Sequence, residues 1–202
     1  DVGYQADAIA GIDTALWDVI GRASGKPVGA LLGGRFRETL PMYASGLRSR
    51  TAQQRCDEAR QHVESGFGVK VFLGKDWRTE AREIAGLRSA MGEEAILLAD
   101  ALWAYRPAEA LYLGQALQDH GVQFFEAPTA PRDIRGHTRI AARLAIPVAI
   151  GELLRNRSEF LTWMIAEAAG VYQPDVMHLG VSETAAVAGI AHAMNAPVAL
   201  HV

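Results

Sequence analysis

The hydrophobic pattern alternates between two periods along nearly the whole chain. Residues 8–24 place apolar side chains at Ile12, Ala15, Leu16, Val19 and Ile20, one face of a helix, and this stripe and Trp17 within it read as packing. Gly25 and Pro27 supply the stop. Gly33 and Gly34 then turn the chain into residues 40–47 (LPMYASGL), the first predicted strand. From there helical spacing and short apolar runs take turns. Helices are predicted over 51–65, 78–91, 107–119, 134–144, 158–168 and 182–194. Strands are predicted over 68–74, 96–102, 122–126, 147–152, 171–176 and 197–201.

Seven strands with helices between them, at intervals near 26 residues, make a supersecondary period rather than a short solenoid repeat. Such alternation implies a parallel sheet with right-handed crossovers. An open doubly wound sheet is the alternative, but no Gly-rich phosphate fingerprint follows the first strand. The near-equal units favour a (β/α)8-type barrel without its last strand. Residues 40–202 form the partial barrel, and 1–39 a linker and helix before it. Polar residues at the C-terminal ends of strands are then the active-site candidates.

Composition narrows the function classes. Of 202 residues, 50% are hydrophobic, and the net charge of −3 points to neither a nucleic-acid nor a membrane partner. No apolar run approaches the roughly 18 residues of a membrane span. The single Cys56 excludes an internal disulfide framework and fits a reducing compartment, so a cytoplasmic location is expected. The chain opens without Met and closes on Leu200-His201-Val202, which reads as mid-strand, so a piece of a longer protein is expected.

The run VQFFEAP carries the strongest chemical signal. Strands buried on both faces are continuously apolar, so Glu126 at the end of this one needs a reason. Asp100 closes ILLAD and Glu152 closes PVAIGE, each 26 positions from Glu126. Three carboxylates at the same end of consecutive parallel strands suit Mg²⁺. Any one of them alone reads as a helix N-cap. Lys70, Asp175 and His201 occupy the corresponding ends of other strands. An ion held by three acids can bind a substrate carboxylate, and a nearby base can remove its α-proton. The enediolate that forms needs stabilising charge. His201 is the natural base near neutral pH, with Asp175 fixing its tautomer. Asp175 alone is a helix cap by default. Lys70 alone is a solvent-facing lysine, and in this set it is placed to touch the substrate carboxylate.

The segments AIAGIDTALWDVIGRASGKPVGALLGG, GFGVKVFLG, LLADALWAY, FFEAP, AIGE, QPDVMHLG and PVALHV together resemble the mandelate-racemase branch of the enolase superfamily. The resemblance implies Asp100, Glu126 and Glu152 as Mg²⁺ ligands and Asp175–His201 as a catalytic dyad. It also implies an N-terminal capping domain, which the chain does not show, a small carboxylate substrate and a homo-oligomer.

The chain departs from that family at two places. The usual second lysine of Lys-x-Lys, a base on the face opposite the dyad, is Phe72 here, in Lys70-Val71-Phe72. Racemisation needs a base on each face, so racemisation and muconate cycloisomerisation are disfavoured. Acid-sugar (aldonate or aldarate) dehydration, a hydro-lyase reaction, needs one base for the α-proton and leads. An epimerase or racemase using Lys70 or Lys75 is the alternative within the branch. An incompetent barrel or pseudoenzyme is the alternative outside it. The second departure is Leu102, where the family often has Asn after its first metal ligand. Trp103 and Tyr105 are expected either to shape specificity or to form a hydrophobic lid, and His178 to face solvent, with the lining of the pocket as its alternative.

Overall fold

The computed structural model describes residues 2–201. Asp1 and Val202, the latter closing the PVALHV segment, lie outside the described residues. The strands β1 (Tyr43–Ser45), β2 (Gly68–Phe72), β3 (Leu97–Asp100), β4 (Phe125–Glu126), β5 (Val148–Ile150) and β6 (Val171–Tyr172) are hydrogen-bonded in chain order. The pairs from β1 to β5 are parallel. The helices are α1 (Val2–Ser24), α2 (Val28–Leu31), α3 (Ala52–Glu64), α4 (Trp77–Met91), α5 (Pro107–Asp119), α6 (Ile134–Ala141), α7 (Arg157–Ile165) and α8 (Val176–Ala193). The expected α/β barrel architecture is therefore present, as a parallel six-stranded sheet with helical crossovers.

Local chemistry accounts for most boundaries. Thr51 and Gln54 form a reciprocal capping box at the start of α3. Asp76, Asp133, Asn156 and Asp175 each accept a first-turn N–H of α4, α6, α7 and α8. Pro107 opens α5, where its missing N–H costs nothing.

The chain divides into two compact units. The larger, Pro41–Ala149 with Glu167–Gly170, holds β1 to β4 and most of β5. Its core contains Val69, Ile84, Leu97, Leu113, Leu117, Phe125 and Ile140, all fully buried. The other unit comprises Asp1–Leu40, Ile150–Ala166 and Val171–Val202. Here β6 docks on the end of β5 through Gln173 N–H donating to the Ile150 carbonyl at 2.8 Å. A Cβ at Gly151 would stand 2.6 Å from the Gln173 nitrogen, so only glycine admits this approach.

Three expectations need correction. Helix α1 begins at Val2 rather than at 8, and its apolar stripe does not pack: Ile12, Leu16, Val19 and Ile20 are 63%, 56%, 60% and 51% exposed. The face it turns to α8 carries Ala10, Asp13 and Trp17 instead. Asp13 accepts the Ser182 N–H at 2.9 Å, and Trp17 Nε1 donates to Ser182 Oγ at 2.8 Å. Secondly, α8 starts at Val176 and kinks at Gly180, whose φ of 73° separates a first segment from the one expected at 182. Thirdly, the strand expected at 197–201 is reduced to two isolated bridges, Tyr172 to Val198 and Asp175 to His201.

Candidate active site

In the larger unit the pleat of β2 sends Lys70 and Phe72 to the same face. Phe72 is in register with Asp100, and Asp100 with Glu126. Lys70 is thus carried into a carboxylate cluster, with its Nζ 2.9 Å from Glu126 Oε2 and 3.7 Å from Asp100 Oδ2. It is 4% exposed, so the solvent-facing reading is overturned. The ammonium also lies 5.7 Å from the Tyr43 ring centre and 5.9 Å from that of Phe72. Burial by itself pulls the lysine pKa down. The charge and hydrogen bond of Glu126 outweigh that and hold it above its ordinary value.

Neither acid of this cluster is a helix cap, because the N-cap positions of α5 and α6 are Arg106 and Asp133. Asp100 Oδ1 accepts the Leu102 N–H at 2.9 Å. Glu126 Oε1 is buried and lacks a hydrogen-bond partner. Buried carboxylate oxygens are normally satisfied, so this one is open for a ligand. Two hard oxygen donors in register, one of them unpartnered, fit a magnesium-sized divalent cation.

The backbone beyond these acids is bent sharply. Leu102, Trp103 and Ala127 have φ of 50°, 62° and 47°, values that side chains rarely adopt. The turn leaves Leu102 52% exposed and buries Tyr105. Trp103 meets the His137 ring edge-on at 5.9 Å. Glu80, a residue the sequence reading missed, accepts the N–H groups of Gly74 and Lys75 at 2.8 and 2.9 Å and a bond from the Tyr105 hydroxyl. It ties the loop after β2 to the loop after β3. Burial pushes its carboxyl above the usual range.

In the other unit, His201 Nδ1 lies 2.8 Å from Asp175 Oδ2, while its Nε2 lies 3.1 Å from Glu152 Oε2. Asp175 also caps α8 by accepting the Met177 N–H at 2.7 Å, so the cap and the dyad readings hold together. Glu152 is not a cap, since Asn156 starts α7. His178 does not face solvent freely: its Nδ1 lies 2.8 Å from Asp7 Oδ1 and its Nε2 4.0 Å from Asp175 Oδ2. Asp7 additionally pairs with Arg155 Nε at 3.2 Å. Asp7 and Arg155 carry no motif in the sequence, and only three-dimensional proximity reveals them.

Residues 54–202 match the family model described as Enolase C-terminal domain-like, and residues 2–33 match that of the mandelate racemase / muconate lactonizing enzyme N-terminal domain. A D-galactarolactone cycloisomerase of Agrobacterium fabrum is 32% identical over 99% of this chain and 54% of its own length. An arabinonate dehydratase of Saccharolobus solfataricus is 33% identical over 98% of this chain and 55% of its own. The crystal structure of a racemase from Streptomyces coelicolor A3(2) with bound magnesium superposes with a TM-score of 0.93 at 27% identity, covering 99% of this chain and 57% of that one. The chain spans about half the length of the relatives it matches. Among the described residues no helix is long and apolar enough to cross a membrane.

Proposed function

Because the chain belongs to the mandelate racemase/muconate lactonizing enzyme family of the enolase superfamily, we propose that it is the barrel portion, residues 40–202, of a Mg²⁺-dependent acid-sugar dehydratase of the cytoplasm, with residues 1–39 leading into it. Asp100, Glu126 and Glu152 would hold the ion. The orphaned Glu126 Oε1 and the register of Asp100 with Glu126 support that assignment. When bound, the ion supplies the positive charge that makes the carbon beside a carboxylate acidic.

The protein's own residues carry the rest. Asp175 accepts from Nδ1–H of His201, which leaves Nε2 as the base that removes the α-proton. Lys70 contributes a second positive charge at the substrate carboxylate. The β-hydroxyl then departs as water, with a proton returned by the His201 imidazolium. The enol left behind tautomerises to a 2-keto-3-deoxy acid. Phe72 stands where the family's second base would be, so the reading has proton transfer on one face only.

The observation that carries this reading is the 2.8 Å pairing of His201 with Asp175. The name of the A. fabrum relative favours a second reading, in which the leaving oxygen belongs to a lactone ring. Both share the first proton abstraction. The test is to incubate the chain with Mg²⁺ and a panel of aldonates, aldarates and their lactones, and to assay the 2-keto acid by semicarbazone absorbance. Product from open-chain acids supports dehydration, and product from lactones alone supports the second reading. The absence of product from every compound contradicts both.

A further inference from the structure

The dyad accounts for Asp175 and His201 but leaves a second acid–imidazole pair beside it without a role. Asp7 Oδ1, on the first turns of α1, lies 2.8 Å from His178 Nδ1 and 3.2 Å from Arg155 Nε. Its carboxylate therefore holds two loops at once. One is the turn after β5, where the Arg155 guanidinium also donates to the Glu152 carbonyl at 3.2 Å. The other is the first turn of α8, where His178 sits three residues after Asp175. The far nitrogen of His178, Nε2, faces the same Asp175 Oδ2 that His201 Nδ1 engages, at 4.0 Å against 2.8 Å. The groups form a chain Asp7–His178–Asp175–His201, with Arg155 bracing one end.

We infer that Asp7 and His178 are positioning residues for the dyad, a reading that rests on the proposed role of His201 as base. An aspartate on a helix N-terminus can rotate about χ2 and let its imidazole partner drift. Asp175 is held on both oxygens: Oδ1 accepts the Met177 N–H and Oδ2 the His201 Nδ1–H, with His178 Nε2 in ion-pair range of that same oxygen at 4.0 Å. The partner that orients a working histidine generally matters to function although it touches no substrate. Asp7 extends this by one step, because a His178 ring anchored through Nδ1 can present only Nε2 to Asp175. The segment matching the family's N-terminal domain thereby contacts the histidine beside the dyad's aspartate.

The test compares the full wild-type chain with D7N, H178Q and the control D18N. Asp18 lies on the same helix, but its partner is Arg22, away from these loops. With six histidines, long-range ¹H–¹⁵N spectra can resolve the His201 ring nitrogens without any substrate. The same proteins are assayed for exchange of the α-proton with solvent deuterium in Mg²⁺, on the panel acid that the wild type exchanges fastest. D7N and H178Q are expected to shift the His201 Nδ1 signal and to slow exchange by roughly tenfold, at unchanged melting temperature and Mg²⁺ affinity. D18N changes nothing, and D7E recovers part of the loss. Unaltered His201 signals in folded D7N and H178Q would overturn the inference whatever the activity. Failure of the dyad reading looks different: an H201N chain would then exchange as fast as wild type.

Discussion

Phe72 on β2 and Asp100 on β3 are register partners, and Phe72 turns its ring to within 5.9 Å of the Lys70 ammonium. An apolar, non-titrating side chain therefore sits one strand from a proposed metal ligand, where the resemblance implies a lysine. The cluster keeps one lysine and lacks the second. On the proposed reading, chemistry requiring a base on each face of a carbon is left with one.

Replacing Phe72 with lysine restores a second amine beside Lys70. F72K is expected to incorporate solvent deuterium at the α-carbon with both configurations, whereas wild type incorporates it with one. Chiral analysis of the recovered acid reads this out. Scrambled configuration in the wild type would show that another base serves the second face.

Lys70 is buried between Glu126 and Asp100, so its removal leaves uncompensated buried charge. K70M is expected to lose about 3–5 kcal/mol in urea unfolding without metal, the cost of breaking a buried pair. Added Mg²⁺ is expected to return part of that stability by neutralising the same carboxylates. A K70M chain as stable as wild type in metal-free buffer would contradict the buried-pair description.

Glu126 Oε1 is buried without a hydrogen-bond partner and is a proposed Mg²⁺ ligand. Calorimetry should give one Mg²⁺ site in wild type, weakened more than about tenfold in E126Q. Equal affinity in both would remove Glu126 from the ligand set.

Burial pushes the Asp13 carboxyl up, but its hydrogen bonds from Ser182 prevail and hold it below the usual range. A carboxyl lowered in the folded state stabilises above its unfolded pKa, and that contribution fades as pH falls through the folded value. D13N should therefore be less stable than wild type near neutrality and lose less on acidification from about pH 5 to about pH 2. Parallel melting curves of the two across that range would deny Asp13 this role.

Much of the fold was legible because local rules agree with the global one. The α5 bounds follow from Pro107 and the helical spacing after it, and the α3 helix from its spacing, with a capping box that the structure then shows. The end-of-strand acids were legible because a charge closing an apolar run is rare enough to mean something. The α1 stripe misled, since periodicity reports which face is apolar and not which face meets α8. There a small Ala10 and a hydrogen-bonding Asp13 make the contact. Lys70 misled for the opposite reason, because a lone lysine on a strand shows nothing of the carboxylates that neutralise it. Asp7 and Glu80 act on loops far along the chain or across a turn, and no spacing rule marks them.

His201, oriented by Asp175, is proposed to remove the proton beside a carboxylate. That role is tested most directly by exchange of the α-proton of each acid in the aldonate and aldarate panel with solvent deuterium, in saturating Mg²⁺, by wild type and by H201N of equal metal affinity. Exchange is expected in the wild type, and H201N is expected to lose it by at least about two orders of magnitude. Exchange at the wild-type rate in H201N would contradict that role.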